Sequence, residues 1–267
     1  MCRLSAPLAS RLRQELLRRF YLEKGEAAAA LPGLRQTLAQ LDQLLLQPDA
    51  APSGPGAPGG WFWGRQSGLR RRCLTELSLP QLLAPLADLP SWVDYLLLQE
   101  LTVNPDSYLS SVFLWAEAPQ GPLSFAAWDL DLTFGDLEGL ADPVASSWRF
   151  NESYVAANSR VAAWFTALMA DPVFRSMVAS RWRGLRGGAW SDAAILGWID
   201  SKAELLAEGP AARNFRRWPI RDVEPVTPYM RFAFDAATAT WEGEVRRLKD
   251  FAQQRAAWLD QQFAAQL

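Results

Sequence analysis

The chain has 267 residues, of which 49% are hydrophobic and 21% charged, and its formal net charge is -2. This composition supplies enough apolar side chains for one large or two small domains, and it excludes disordered, collagen-like and disulfide-scaffold proteins. The chain has no histidine and two cysteines, which excludes Ser-His-Asp and Cys-His catalysis and zinc sites built from histidine or four cysteines. Balanced charge provides no global field for nucleic acid. The side chains that remain for catalysis or ligand binding are mainly carboxylates, hydroxyls, lysine and arginine.

The sequence carries no recognisable targeting or membrane segment. Residues 1–7 lack the apolar run of about 7–15 residues that a signal peptide needs. No stretch approaches the roughly 18 apolar residues of a membrane span. We therefore expect no membrane span, no nucleic-acid partner and no targeting signal within this chain. The cellular compartment is not determined by the sequence.

The first 90 residues predict helices followed by a loop. Hydrophobic residues recur at helical spacing in two stripes. A segment rich in proline and glycine follows at 47–60 and indicates a loop or linker. An arginine cluster at 65–72 is either a phosphate-binding patch or a solvated loop. The predicted division is a helical segment at 1–47, a Pro/Gly-rich loop and basic linker at 48–90, and a main domain at 91–262. The two stripes are Leu8, Leu12, Leu16, Phe20 and Leu34, Leu38, Leu41, Leu45.

A helix and a β-hairpin are predicted at the start of the main domain. Ser91 is a suitable cap for a helix that ends near Asn104, because a residue before proline disfavours the helical conformation. Residues 112–115 read as a strand, residues 120–122 as a turn and residues 123–128 as the returning strand. The hairpin therefore lies between two acidic sites.

Helices are predicted for most of the remaining chain. Their signals are apolar periodicity together with polar caps, proline at the first position and terminal glycines. The predicted fold is mainly α with one small β-hairpin. Helices are predicted at 160–170, from Asp171-Pro172 to Gly187-Gly188, from Ser191-Asp192 past Leu205, and, after a loop at 219–228, from Trp241 to Phe263.

Three aspartates flank the hairpin: Asp106 before it, and Asp129 and Asp131 after it. Residues two apart on a strand share a face, so Asp129 and Asp131 are expected to point the same way. Converging carboxylates repel each other unless a cation or a proton compensates. A magnesium-phosphate site is one interpretation, with Asp129 as ligand and Asp106 orienting a hydroxyl. A glycosidase-like acid/base pair, or aspartates that cap turns and pair with arginines, are the others.

The order of aspartate, hairpin and aspartate also occurs in the C-lobe of protein kinases. The usual kinase signatures differ here. Asn104-Pro105 stands where His-Arg is usual, and Leu130-Asp131 stands where Phe-Gly is usual. The Asn104 side chain is expected to hold the loop through hydrogen bonds, as asparagine does in turns.

Several stretches, in the same order, resemble the spore coat protein CotH kinase family. Together they extend over about two thirds of the chain, from Ser91 to Asp260. Their number and order make the resemblance specific. The stretches are DYLLLQELTVNPDSY at 94–108, WDLDLTFGD at 128–136, the segment 164–182 around DPVF, ARNFRRWPI at 212–220, and the segment 241–259 that begins WEGEV.

The resemblance implies an atypical bacterial protein kinase with a kinase-like C-lobe of the α+β class. Such a kinase transfers phosphate from ATP, with Mg²⁺, to a serine of a partner protein. By this resemblance Asp106 orients the acceptor hydroxyl and Asp129 binds the metal. Ser111 stands at the second-metal position and Asp131 is a possible additional ligand, while Trp128 either walls the nucleotide pocket or packs in the core. A cell-envelope, extracellular or spore-coat location is implied.

The N-lobe that covers the nucleotide in kinases is not recognisable before residue 91. The glycines at 54–60 lie among prolines and alanines and do not match a phosphate-binding loop, and Lys24 is the one lysine of the segment. We therefore expect residues 1–267 alone to form a truncated or inactive C-lobe with weak or no kinase activity. A non-catalytic module of a spore coat or cell envelope on the same fold is the alternative, and a carboxylate-based hydrolase is a less favoured one.

Overall fold

The computed structural model describes residues 27–46, 78–118, 121–137, 142, 148–219 and 240–264. The predicted helix at 8–20, the loop at 47–60, the arginine cluster at 65–72 and most of the loop at 219–228 lie outside these ranges. The predicted domain division at residues 47 and 90 stays a prediction. The described chain is mainly helical with one small antiparallel sheet of two strands, which confirms the predicted fold class at that level.

The chain forms two compact units. The first unit comprises Met1–Trp92 and Phe113–Ala126, and the second comprises Val93–Val112 and Ala127–Leu267. All of the predicted site residues belong to the second unit. Helix α3 (Leu89–Thr102) begins in the first unit and ends in the second.

The first unit contains helices α1 (Ala27–Leu46) and α2 (Leu79–Leu83). Leu41 and Leu45 of α1 are buried at helical spacing, so this part of the predicted stripe is confirmed. Gln81 closes the first turn of α2, because its Oε1 accepts hydrogen bonds from the N–H and the hydroxyl of Ser78, at 2.8 and 3.1 Å.

The hairpin joins strands β1 (Val112–Trp115) and β2 (Ser124–Ala127). Its existence and its first strand are as predicted, but the second strand is shorter than 123–128. Leu123 instead bridges Ala87 in parallel, and its carbonyl accepts a hydrogen bond of 2.7 Å from Trp92 Nε1. Trp92 also packs edge-on against Phe125, with ring centroids 4.7 Å apart. The hairpin is therefore held by a buried tryptophan.

The predicted Ser91 cap of α3 is wrong. The helix begins two residues earlier, because the Trp92 N–H already bonds the Asp88 carbonyl at 3.2 Å. The Ser91 hydroxyl lies inside the first turn, where it donates to Asp88 O at 2.8 Å and accepts from the Phe125 N–H at 3.2 Å. Ser91 therefore links the helix to β2. The predicted end of α3 near Asn104 is confirmed.

The second unit is built mainly from helices that follow the hairpin. The helix predicted at 160–170 and the one predicted after Asp171 are confirmed. A short helix at 153–158 and a π-helical turn at 207–211 had no signal that we recognised. No helix in the described ranges is both long and apolar enough to cross a bilayer. The helices are α4 (Ser153–Asn158), α5 (Arg160–Ala170), α6 (Pro172–Arg186), α7 (Asp192–Leu206), α8 (Ala212–Arg217) and α9 (Trp241–Ala264).

We expect Asp171→Ala to destabilise the protein by about 1 kcal/mol, because it removes the cap of α6. The Asp171 carboxylate accepts the Val173 and Phe174 N–H groups at 2.8 and 2.9 Å. Urea denaturation of the full chain measures the loss. Asp171→Asn keeps an acceptor oxygen and is expected to recover most of the stability. An alanine variant as stable as the parent would show that this cap contributes little.

Candidate catalytic site

The loop between α3 and β1 carries Asp106 in an unusual backbone conformation. We call residues 103–111 the Asp106 loop. Val103 and Tyr108 both adopt left-handed conformations, with φ of 49° and 66°. Side chains with a β-carbon disfavour this region, and the cost is of order 1–3 kcal/mol each. Surrounding contacts must therefore hold the loop in place.

Asn104 supplies the first of these contacts, as predicted. Its Oδ1 accepts the Asp106 N–H at 3.0 Å, and its carbonyl accepts both the N–H and the hydroxyl of Ser107, at 3.2 and 2.6 Å. Asn104 is 1% exposed, and its Nδ2 has no hydrogen-bond partner among the described residues. The side chain thus fixes the peptide that leads into Asp106.

The structure brings Asp106 and Ser111 together. The Ser111 hydroxyl lies 3.3 Å from Asp106 Oδ2 and donates to it. Ser111 is 8% exposed, whereas Asp106 is half-buried. In this arrangement the hydroxyl orients the carboxylate, and the predicted role of Ser111 as a metal ligand stays a prediction.

Two further contacts hold the far end of the loop at Tyr108. Ser159, the N-cap of α5, donates its hydroxyl to the Tyr108 carbonyl. The Tyr108 hydroxyl donates to Glu100 Oε1 at 2.9 Å. Tyr108 is 2% exposed and packs edge-on against Phe165. Its left-handed backbone is therefore fixed from both its carbonyl and its side chain.

Arg149 holds the near end of the loop, and sequence reasoning missed it. Its Nε donates to Asn104 O at 3.2 Å, and its Nη2 donates to Pro105 O at 2.8 Å. The side chain also pairs with Glu152 at 3.4 Å. Burial lowers the pKa of Arg149, against the opposing charges of Glu152, Glu100 and other acidic groups. An arginine in an unpatterned segment offers no local signal for this role.

Glu100 is the fully buried centre of these contacts. Its Oε1 accepts from the Tyr108 hydroxyl and the Phe150 N–H, and its Oε2 accepts from the Arg149 N–H at 2.7 Å. Arg255 of α9 pairs with Oε2 at 3.2 Å and donates from Nε to the Glu100 carbonyl at 2.7 Å. Both partners of this ion pair are fully buried.

The Glu100–Arg255 pair contains two charges that are costly to bury. Burial raises the pKa of Glu100, opposed mainly by the Arg255 charge, and lowers the pKa of Arg255, opposed mainly by the Glu100 charge. Removing such ions from water costs several kcal/mol each, which only good geometry and further hydrogen bonds offset. The Arg255 guanidinium also lies over the Trp258 ring, 4.2 Å from its centroid. These contacts tie α9 to α3.

The second acidic segment follows β2. Asp129 and Asp131 lie in a loop and not on a strand, so the reasoning from strand alternation was wrong. Asp129 has a left-handed backbone with φ of 59°. Its pKa is raised, first by desolvation, then by the charge and hydrogen bond of Asp131, and last by the charge of Asp106. The charges of Asp131 and, to a smaller extent, of Asp106 thus both act on the Asp129 carboxylate.

Helices α3 and α9 also anchor this segment, which we call the Asp129 loop (residues 128–136). The Phe134 N–H bonds the Thr102 carbonyl at the end of α3, at 2.7 Å. Arg247 of α9 donates to Gly135 O at 2.9 Å and pairs with Asp136 at 3.1 Å. The same two helices that hold Glu100 and Arg255 therefore hold both acidic loops.

Trp128 does not pack in the core. Its side chain is 60% exposed at the start of the Asp129 loop. The core-packing alternative for Trp128 is therefore wrong, and its role as a wall of a nucleotide pocket stays a prediction.

The residues of the acidic loops fit an open magnesium site better than a closed cage. Within the described ranges, no group of three or more Asp, Glu, Cys or His side chains is arranged to hold a metal. Magnesium commonly uses one or two protein carboxylates and takes its other ligands from water and substrate phosphates. The adjacent carboxylates of Asp129 and Asp131 match that smaller requirement.

We expect Glu100→Gln and Arg255→Met each to lower the free energy of unfolding by about 3–5 kcal/mol, because each leaves a buried charge unpaired. The double variant should lose less than the sum of the two. The exposed Arg181–Asp94 pair, 2.7 Å apart, is the control, and Arg181→Met should cost about 1 kcal/mol or less. Additive losses in the double variant would contradict a direct ion-pair interaction.

The family model described as CotH kinase protein matches residues 78–259, which is more than half of the chain and includes both acidic loops. No curated protein and no solved structure matches the chain. The family match agrees with the resemblance found in the sequence, and the chain belongs to the CotH kinase family.

Proposed function

We propose that the chain forms the catalytic C-lobe of an atypical protein kinase that transfers phosphate from Mg-ATP to a serine of a partner protein. Membership of the CotH kinase family supports a kinase-like function. The observation that carries the proposal is that helix α3 holds both aspartate loops, through Glu100 to Tyr108 of the Asp106 loop and through the Thr102 carbonyl to Phe134 of the Asp129 loop. Aspartates from before and after the hairpin are thus fixed on one scaffold, and fixed positions are what phosphoryl transfer depends on.

Asp106 is the residue proposed to meet the acceptor serine. The Ser111 hydroxyl already bonds Oδ2, which leaves Oδ1 to accept the hydrogen bond of the substrate hydroxyl. This bond orients the nucleophile, and Asp106 receives its proton as the new bond from the serine oxygen to the γ-phosphorus forms and the bond from that phosphorus to ADP breaks. Asp106 needs no histidine for either task.

Asp129, with Asp131 beside it, is proposed to hold Mg²⁺. The bound ion would neutralise charge on the transferring phosphoryl group. The raised pKa of Asp129 is in keeping with this assignment, because, after desolvation, the negative charge of Asp131 contributes to it, and a cation would relieve that charge. Trp128 is exposed next to this carboxylate and is proposed to contact the nucleotide.

Phosphotransfer assays with Mg-ATP and serine-containing acceptor proteins test the function. Residues 1–267 are expected to transfer phosphate faster than a control reaction without the protein. We expect Asp106→Ala and Asp129→Ala to reduce that rate about 100-fold or more. Arg181→Met, which alters only an exposed ion pair, should leave it unchanged.

Calorimetric titration with Mg-ATP separates catalysis from a non-catalytic role. A chain that folds but neither binds Mg-ATP nor transfers phosphate would overturn the proposal and favour the interaction module of a spore coat or cell envelope. Binding that survives Asp129→Ala unchanged would remove Asp129 from the metal site.

We also expect metal affinity to depend on pH through Asp129. Protons compete with the cation, and the raised pKa of Asp129 means that its carboxylate is protonated at a higher pH than an ordinary aspartate. Mn²⁺ titrations over a pH series should show affinity falling on acidification. In Asp131→Asn the fall should begin at a lower pH, because a neighbouring negative charge is gone. An unchanged midpoint would contradict this coupling.

A further inference from the structure

We infer that Arg149 is a positioning residue for Asp106, an inference that rests on the proposed kinase function. Its guanidinium donates hydrogen bonds to the two backbone carbonyls that immediately precede Asp106, and we call this pair of contacts the grip. Arg149 itself does not touch a reacting atom. Its effect on the reaction passes through the place and orientation of the Asp106 carboxylate.

The first step is the geometry of the grip. Nε and Nη2 of one planar group donate to the carbonyls of Asn104 and Pro105, at 3.2 and 2.8 Å. Two donors of fixed spacing on consecutive carbonyls define the direction of that short segment, as a single point donor would not. The Asn104 side chain binds the Asp106 N–H from within the loop. The backbone entering Asp106 is therefore fixed by contacts from outside and inside the loop.

The second step is the support of Arg149 itself. Its backbone N–H donates to Glu100 Oε2 at 2.7 Å, and its Nη1 pairs with Glu152 at 3.4 Å. Glu152 is in turn the N-cap of α4, where it accepts the Tyr154 and Val155 N–H groups. Arg149 is 5% exposed. The guanidinium is therefore held in place by contacts other than those to the Asp106 loop. A residue that positions another group needs such independent support.

The third step is the need for such a grip. The Asp106 loop contains left-handed Val103 and Tyr108 on either side of its aspartate, and such residues relax when outside contacts are lost. Ser159 and Glu100 secure Tyr108. Arg149 provides the corresponding side-chain contacts from outside the loop at Asn104 and Pro105. Loss of Arg149 should therefore release one end of the loop and leave the other in place.

The kinetic test uses Arg149→Lys and Arg149→Met in the full chain, with Arg149→Ala for chemical rescue. A lysine keeps the charge but cannot reproduce the planar fork. We expect kcat to fall roughly 100-fold in both variants, with KM for ATP within about twofold, because the displaced group meets the acceptor serine and not the nucleotide. Added guanidinium should restore part of kcat in Arg149→Ala. A change in KM for ATP as large as the change in kcat, or an unaffected kcat, would overturn the inference.

Arg175 provides the matched control. Its Nη1 also donates to two backbone carbonyls, those of Met169 and Ala170, both at 2.8 Å. Arg175→Met also removes arginine hydrogen bonds to two consecutive carbonyls, here made by one nitrogen, at the end of α5 and not in either acidic loop. Its kcat should equal that of the parent. A loss as large as that of Arg149→Met would show a general effect of losing such arginines.

Hydrogen exchange separates failure of this inference from failure of the proposed function. In Arg149→Met, exchange of the peptide containing residues 104–107 should rise about tenfold or more, while α6 keeps its protection. If the parent transfers no phosphate, the kinase proposal fails and faster exchange in this peptide still supports the grip. Unchanged exchange there would overturn the grip whatever the activity. Faster exchange with parental kcat would show that Arg149 orders the loop without positioning Asp106.

Discussion

The buried ion pair between Glu100 and Arg255 is the interaction on which the candidate site depends. Glu100 lies on α3, one turn before the Asp106 loop, and Arg255 lies on α9, at the other end of the chain. The Glu100 carboxylate also accepts hydrogen bonds from Tyr108 and Arg149, the residues that hold the two ends of that loop. An apolar pair of equal size would pack as well but would orient neither residue. The pair therefore contributes geometry as much as stability.

The same two helices restrain the second acidic segment, which explains how exposed carboxylates stay near each other. The end of α3 bonds the backbone at Phe134, and Arg247 of α9 bonds Gly135. Asp129 and Phe134 have left-handed backbones, as Val103 and Tyr108 do in the first loop. Conformations of this kind persist where the surroundings determine them and often mark functional sites. Here the constraint comes from the buried scaffold, while the carboxylates of Asp129 and Asp131 stay open to solvent.

Features with a local cause were predictable from the sequence. Asp171 and Ser191 cap helices because their side chains reach the next turn, and the sequence shows both next to helical periodicity. The Asn104 turn and the first hairpin strand have equally short-range causes. The cap predicted at Ser91 is wrong, because the Ser91 hydroxyl accepts a hydrogen bond from Phe125 of β2, 34 residues away in sequence. Glu100 and Arg255 are 155 residues apart and carry no mutual pattern. Long-range partners of this kind are chosen by the folded packing.

Because the chain has no histidine, the chemistry of the candidate site depends on how these long-range contacts position its aspartates. An imidazole can act as base by virtue of a pKa near neutrality, whereas an aspartate near its ordinary pKa is a weak base at neutral pH. Under the proposed kinase function, a site of aspartates therefore depends on the placement of the acceptor hydroxyl, the cation and the phosphate, which is the main source of catalysis in phosphoryl transfer. Asp106 has one oxygen turned toward Ser111, and its backbone is held by Asn104 and Arg149. In such a site the buried contacts that set position perform the task that acid–base tuning performs in histidine enzymes.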